Sequence, residues 1–304
     1  MKIQDQNFGT EIELTGITRV RAAAVIAEYF GTQSYHVGGA YKVEAARDTK
    51  GREWKCEWDS SIRRTKKVNG VQQPVYDEAY GCEVVTPILQ YEDMEDLQNI
   101  VRKLREAGAV ANDSCGIHVH VDGSNHTVES LTRLVNFAVS RQDLFYEALE
   151  IGDRANRWCK RMNANLLKAM KNVHTRQDLE RVWYSSVNDN YRGGVDHQHY
   201  NPTRYHGINL HAFFTKGTVE FRLFNGTTHA GKIKSYIQFC LAMSAWSISA
   251  EKPLHFAGLK KYETKSQRGT LMKNVLKNRL GMRGPEFKTA RLHLTSAFSE
   301  ETTA

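Results

Sequence analysis

The segment CGIHVHVDG, residues 115–123, places two histidines two positions apart within an apolar run. Successive side chains of a β-strand point to opposite faces, so His118 and His120 share one face and the apolar residues around them take the other. Two neighbouring imidazoles on one strand face suit a metal ion, a phosphate group or a bound carboxylate. A plain polar face gives the same pattern, so the other strands have to decide between these interpretations.

Composition and cysteine usage indicate a globular, cytoplasmic protein. The chain has 304 residues, 40% of them hydrophobic and 25% charged, without an evident linker or repeat, so we expect a single domain over residues 1–304. No apolar run reaches about 18 residues, which predicts that nothing spans a membrane. The 5 cysteines are scattered and form no CxxC pair, which predicts a reduced compartment and no structural zinc.

The net charge of +8 favours a polyanionic or acidic partner. Nucleic acid, nucleotide phosphates and an acidic protein all fit this charge. Basic residues cluster at 63–67, 154–161 and 259–291. Each cluster is equally explained by a solvated helix or loop face, so charge alone does not identify the partner.

Periodicity and turn residues predict an α+β fold with antiparallel strand pairing. The predicted strands are 8–14, two short strands within 35–61, 81–89 and 115–122. The predicted helices are 18–31, 91–108, 127–151, two stretches within 154–189 and a buried helix over 235–250. GINLHAFF (207–214) and TVEFRLF (218–224) are predicted to form a hairpin in which Gly217 is left-handed.

Acidic residues occur on single faces of several of these strands. Glu11 and Glu13 share a face of FGTEIEL, Glu83 lies in an otherwise apolar strand, and Glu220 shares a face with Arg222. Taken one at a time, Glu11 and Glu13 are explained as solvent-facing acids, and Glu220 and Arg222 as a cross-strand ion pair. Asp59 is explained as a turn residue.

Together, converging carboxylates would repel one another unless cations bind among them. Oxygen ligands with one imidazole suit Mg²⁺ or Mn²⁺ better than Zn²⁺. We therefore expect a metal site at a barrel-like sheet, lined by Glu11, Glu13, Glu83, His118 and Glu220. Arg222 would then meet a phosphoryl group or a substrate carboxylate.

The chain resembles the predicted amidoligases, a branch of the glutamine synthetase and glutamate–cysteine ligase superfamily of carboxylate–amine ligases. FGTEIEL, DSS at 59–61, CEVVTPIL, CGIHVHVD and INLHAFF–TVEFRLFNGT follow one another as in that family. The resemblance covers residues 8–230, with 231–304 as a helical C-terminal region. It implies a glutamine synthetase-like antiparallel sheet curved into a half barrel and backed by helices. Relatives of glutamine synthetase often assemble with their sites at subunit borders, so a homo-oligomer is compatible with the resemblance, but the sequence does not show the oligomeric state.

The resemblance further implies an ATP-dependent ligase that forms an amide or isopeptide bond through an acyl phosphate and releases ADP and phosphate. The substrates would be a small-molecule or peptide carboxylate and an amine. One magnesium ion would be held by Glu13, Asp59 and Glu83, and a second by Glu11, His118 and Glu220.

His120 would lie near the substrate or the transferred phosphoryl group, and Arg222 would stabilise phosphate charge. Arg63 and Arg64 are candidates for further contacts with the nucleotide, because they follow Asp59 and add positive charge there. Two positions depart from the family pattern. Asp59 is shorter than the glutamate of glutamine synthetase itself, and Ser60 replaces a frequent glycine.

Three other interpretations remain open. HVH also occurs in cupin-like metalloenzymes, but the expected nearby glutamate is absent, because Glu129 is too distant and lies in a predicted helix. A zinc amidohydrolase would place HxH at the end of the first barrel strand, whereas three or four strands precede it here. A nucleic-acid-binding module explains the basic clusters but not the acid-lined strands.

Overall fold

Strands and helices occur largely in separate runs along the residues that the computed structural model describes, which are 1–187, 194–251 and 264–299. The predicted α+β class is therefore confirmed, whereas the glutamine synthetase-like half barrel stays a prediction. Residues 7–119 and 224–236 form one compact unit, here called the sheet unit. Residues 1–6 and 120–223, with the described part of 237–304, form another, here called the helical unit. The expectation of a single domain stays a prediction.

The sheet unit is built on seven strands and the first part of an eighth. They are β1 (Phe8–Leu14), β2 (Ser34–Gly38), β3 (Val43–Arg47), β4 (Glu53–Glu57), β5 (Thr65–Val68), β6 (Val71–Pro74), β7 (Cys82–Val85) and β8 (Gly116–Asp122). The main sheet has the order β2-β3-β4-β7-β1-β8, and the pairs β2–β3, β3–β4, β4–β7 and β7–β1 are antiparallel. Residues 116–119 of β8 belong to this unit.

Two helices cover the apolar face of this sheet. Helix α1 (Arg19–Phe30) packs against β3 and β4, and α2 (Met94–Glu106) packs against α1. Alternation buries Ile12 in β1 and Trp54 in β4, so the residues next to them point to the opposite face. The ends of α1 follow the sequence signals, because the Thr18 side chain accepts a hydrogen bond from the Arg21 backbone and Gly31 is left-handed.

Strands β5 and β6 form a hairpin that the sequence analysis missed. Lys66 and Lys67, which it assigned to a basic cluster, lie in β5. The turn between the strands is Asn69-Gly70, with φ of 49° and 84°. This dipeptide tolerates positive φ and is the strongest local hairpin signal, so the sequence did contain the information.

The helical unit contains the rest of β8, two further strands and most of the helices. The strands are β9 (Ile208–Asn209) and β10 (Thr218–Asn225), of which 224–225 belong to the sheet unit. The helices are α3 (Val128–Val139), α4 (Gln142–Ala148), α5 (Ala164–Ala169), α6 (Arg176–Ser186), α7 (His211–Lys216), α8 (Ala230–Ser249), α9 (Lys265–Asn274) and α10 (Lys288–His293). Residues 230–236 of α8 lie in the sheet unit. The prediction of one helix over 127–151 is wrong, because the structure has two helices there, α3 and α4, which are separated near Ser140.

The hairpin predicted around Gly217 is only partly right. Strands β9 and β10 do pair antiparallel, with Asn209 opposite Glu220, and Gly217 is left-handed with φ of 77°. The segment from His211 to Lys216 is a helix rather than a strand. The Asn209 side chain accepts a hydrogen bond from the Ala212 backbone at 3.4 Å, which favours a helical first turn.

The core of the helical unit is aromatic and lies around α8. Phe145 and Phe239 pack edge to face with ring centroids 5.3 Å apart, and Trp183 is buried completely. Within the described ranges, no helix combines the length and the apolar character needed to cross a bilayer. Parts of the predicted helical segments 154–189 and 231–304, and of the basic cluster 259–291, lie outside the described residues.

Candidate active site

Three glutamates form a row across the centre of the sheet unit. Glu83 on β7 stands directly opposite Glu13 on β1 and, on its other side, directly opposite Glu57 on β4. Directly opposed residues of an antiparallel sheet share one face, here the face away from Ile12 and Trp54. Glu57 was not among the predicted site residues, although it lies two residues before Asp59 on a strand-like segment.

Among these three glutamates, Glu83 is the one whose charged form is most strongly disfavoured. Desolvation raises the pKa of the Glu83 carboxyl group well above its usual range, and the negative charges of Glu11, Glu13, Asp59 and Glu57 raise it further. Like charges at this spacing cost free energy unless a proton or a cation compensates them. The row therefore has the electrostatics of a cation site.

One group of potential ligands consists of Glu13, Asp59 and Glu83. One carboxylate oxygen from each lies within 4.8 Å of the other two. Glu13 is buried, and its Oε2 accepts a hydrogen bond from the Gly116 backbone at 2.6 Å. Asp59 Oδ1 accepts one from the Ser61 backbone at 2.6 Å. Both carboxylates are thus held in place, and the shorter Asp59 side chain still brings an oxygen to the group.

A second group consists of Glu11, Glu83 and His118, whose ligand atoms also lie within 4.8 Å of one another. The His118 side chain is buried, with Nδ1 2.8 Å from Glu11 Oε2 and Nε2 3.6 Å from Glu13 Oε1. Glu83 belongs to both groups, so the two potential ion sites are adjacent. The His118 imidazole thus lies between the carboxylates of Glu11 and Glu13.

The chemistry of these donors fits a hard divalent cation. The groups offer carboxylate oxygens and one imidazole, and neither includes a thiolate. The cysteines nearest along the chain, Cys56 and Cys82, are buried among the apolar core residues. Oxygen-rich sites of this kind suit Mg²⁺ or Mn²⁺, whereas structural zinc sites typically include thiolates or several imidazoles.

The remaining predicted site residues lie in the helical unit. Glu220 and Arg222 are buried, and the Arg222 guanidinium donates to Glu220 Oε1. Asn209 Nδ2 donates to Glu220 Oε2 at 2.6 Å, and His120 Nδ1 lies 3.0 Å from Thr218 Oγ1. The pair of Glu220 and Arg222 is therefore a buried ion pair rather than a surface one. The roles assigned to Glu220 and Arg222 in metal and phosphate binding stay predictions, as does that of His120.

Arg63 and Arg64 lie in the sheet unit between Asp59 and β5. The exposed Arg63 guanidinium donates to Asp113, and its backbone N–H donates to Ser114 Oγ at 2.8 Å. Arg64 donates to the Tyr76 carbonyl at 3.1 Å. These contacts order the segment after Asp59, and a contact of either arginine with a nucleotide stays a prediction.

A comparison with protein families finds one match that covers most of the chain. The family described as "Putative amidoligase enzyme" matches residues 4–244, which include every candidate ligand named above. No curated protein matches the sequence. The family match favours the ligase interpretation over the cupin-like and zinc amidohydrolase alternatives.

Proposed function

Because the chain belongs to the family described as "Putative amidoligase enzyme", we propose that it is an ATP- and Mg²⁺-dependent carboxylate–amine ligase. The acid would be a small molecule or a peptide, and the acceptor would be an amine. The reaction would proceed through an acyl phosphate and release ADP and phosphate.

The observation that carries this proposal is the pair of ligand groups that share Glu83. Separately, each group would be an unremarkable acidic cluster. Together they place four carboxylates and the buried His118 close to one another, and both desolvation and the repulsion from the neighbouring carboxylates raise the pKa of Glu83. A function that uses divalent cations and a polyphosphate accounts for this arrangement, because the cations offset the carboxylates and the phosphates complete their coordination.

The chain's own residues would act mainly by holding and orienting groups. Glu13, Asp59 and Glu83 would hold one ion, and Glu11, Glu83 and His118 would hold another. Bound Mg²⁺ would neutralise phosphate charge and align the reacting oxygens. The Gly116 backbone fixes Glu13, and Glu11 orients the His118 ring through Nδ1. Such preorganisation is the main contribution that a protein makes to phosphoryl transfer.

The proposed reaction consists of two displacements, in which first ADP and then phosphate is the leaving group. A carboxylate oxygen of the acid attacks the γ-phosphorus of ATP, the bond to the bridging oxygen breaks, and ADP leaves. The nitrogen of the amine then attacks the acyl carbon, a proton is lost, and phosphate leaves. Neither displacement requires a serine or cysteine nucleophile from the protein.

A hydroxamate assay tests this function. The full chain is incubated with ATP, Mg²⁺, hydroxylamine and a panel of amino acids and peptides, and at least one acid should yield a hydroxamate. Glu83→Gln should reduce the yield by about 100-fold or more, because one ligand common to both groups is lost. The exposed Glu92 provides the control, since Glu92→Gln should react like the wild type. Equal yields from both variants would contradict the proposed site.

A further inference from the structure

The helical unit contains a second candidate binding site, a cleft of about 240 Å³ that reaches Glu220. Its outer part is lined by His197, His199, Arg204 and Lys216. Arg204 is half-buried, whereas the other three side chains are exposed. The rim of the cleft thus brings together basic and imidazole side chains from two separate segments.

The inner part of the cleft is polar and rigid. Asn209, His211 and Glu220 line it, and each is at most 4% exposed. His211 Nδ1 is 2.6 Å from the Tyr184 hydroxyl, and Glu220 accepts hydrogen bonds from both Asn209 and Arg222. These contacts fix the inner side chains, so a ligand would meet a preformed surface.

The cleft is lined by two basic side chains, Arg204 and Lys216, and the acidic Glu220 of its inner part is ion-paired with Arg222. Two further acids lie near its histidines, since Glu180 pairs with His197 and the charge of Asp196 acts on His211. Burial lowers the pKa of His211 to about 4, and the charge of Arg204 contributes in the same direction. The His211 ring is therefore neutral near pH 7 and presents a hydrogen-bonding group rather than a charge.

Arg204 is held in a defined orientation. Its guanidinium donates to the His199 carbonyl at 2.7 Å and lies over the Tyr205 ring, 5.6 Å from the centroid. These contacts use only part of the five N–H donors that a guanidinium offers. A fixed guanidinium facing a cleft matches the geometry of carboxylate and phosphate oxygens.

We propose that this cleft binds an oxyanion, which is either a phosphate of the nucleotide or a carboxylate of the acid substrate. Both sources present negatively charged oxygen acceptors, which Arg204 and Lys216 can bind. The identification of the anion as a substrate group rests on the proposed function, whereas oxyanion binding by the cleft does not.

The test uses the full chain in chelator, without divalent cations, so that the acidic row contributes no metal-dependent binding. Inorganic phosphate and glutarate, a dicarboxylate, are titrated separately by calorimetry. At least one of them should bind, and both Lys216→Gln and Arg204→Gln should weaken that binding about five-fold or more. Lys103, exposed on α2 of the sheet unit, is the control, and Lys103→Gln should bind as the wild type does.

The two probes also distinguish the sources of the anion. Binding of phosphate alone supports a nucleotide phosphate, binding of glutarate alone supports the acid substrate, and binding of both supports a common oxyanion subsite. The inference would be overturned if neither phosphate nor glutarate bound, or if Lys103→Gln lost as much affinity as the cleft variants. Should Arg204→Gln not fold, the exposed Lys216 variant decides the question. The hydroxamate assay tests the proposed function separately, since it requires Mg²⁺ and ATP.

Discussion

Glu13 and Glu83 stand directly opposite one another on the adjacent antiparallel strands β1 and β7. Opposed like charges destabilise a sheet, and Glu57 adds a third carboxylate on the other side of Glu83. The surrounding strands are nevertheless regular and their other face is well packed. A cation bound on this face would offset the opposed charges, as the proposed function requires.

The first prediction concerns the effect of charge removal at Glu83. Without divalent cations, Glu83→Gln should raise the free energy of unfolding by about 1 kcal/mol, because a repelled and desolvated carboxylate is replaced by a neutral group. Added Mg²⁺ should stabilise the wild type by up to about 2.7 kcal/mol at 100-fold excess over the dissociation constant. The variant should gain much less.

Thermal melts of both proteins in chelator and in Mg²⁺ measure these effects. Glu92→Gln is a suitable control, because the Glu92 side chain is 71% exposed. Equal Mg²⁺-dependent shifts in the wild type and in Glu83→Gln would show that the ions bind elsewhere.

The second prediction concerns the buried ion pair of the helical unit. Glu220→Gln should lower the free energy of unfolding by about 3 kcal/mol, since the buried Arg222 guanidinium would lose the carboxylate charge of this ion pair. Both residues are at most 5% exposed, so solvent cannot replace the lost partner. Urea unfolding measures the change. A loss below about 1 kcal/mol, the value typical of exposed pairs, would contradict this account of the pair.

The third prediction concerns acid stability. His206 is buried, its Nδ1 is 3.0 Å from the Thr203 carbonyl, and burial lowers its pKa to about 4. Between an unfolded pKa of about 6.5 and the folded value, only the unfolded state binds a proton, so stability falls as the pH falls through this window. The full effect of this one histidine is about 3 kcal/mol.

The comparison of His206→Gln with the wild type isolates that contribution. The variant should lose less stability between pH 6.5 and pH 4, although its stability at neutral pH is lower. The exposed His174 is the control, and His174→Gln should follow the wild-type pH dependence. If the free energy of unfolding of His206→Gln changed with pH as steeply as that of the wild type, this histidine would titrate normally in the folded state.

The fourth prediction compares two glycines with nearly equal backbone angles. Gly16 has φ of 78° and Gly39 has φ of 76°. A Cβ at Gly16 would lie 2.5 Å from the Gly108 carbonyl oxygen, whereas a Cβ at Gly39 would meet nothing within 4 Å. Gly39→Ala should therefore cost only the left-handed strain of about 1–2 kcal/mol.

Gly16→Ala should cost more than about 3 kcal/mol, because the backbone at Gly108 has to move as well. Chemical denaturation of the two variants gives the difference directly. Similar losses would indicate that the close approach next to the end of β1 has little energetic importance.

The sequence predicted the elements whose signals are local. The bounds of β1 and α1 follow from alternation in FGTEIEL and from the Thr18 and Gly31 caps. The hairpin at Asn69-Gly70 was equally local and was missed, because its lysines were attributed to a basic cluster. The helix from His211 to Lys216 could not be distinguished from a strand, since short apolar runs have no decisive period.

The candidate site was predictable only in its parts. Period-two alternation indicates that Glu11 and Glu13 share a face, but strand order and register decide that Glu83 faces Glu13 and Glu57. Strand order and register depend on pairings between segments that are distant in sequence, and a single sequence does not specify such pairings. The cleft at Glu220 depends in the same way on where residues 197–216 fold, and no motif pointed to it.

The measurement that tests the central claim most directly follows one oxygen atom. The acid substrate is labelled with ¹⁸O in its carboxylate, and the nucleotide and phosphate products are analysed after turnover with ATP, Mg²⁺ and an amine. An acyl-phosphate route predicts ADP as the nucleotide product and one ¹⁸O atom in each inorganic phosphate released, because the attacking carboxylate oxygen leaves with the phosphoryl group. AMP and pyrophosphate as products, or unlabelled phosphate beside a labelled amide, would contradict the account.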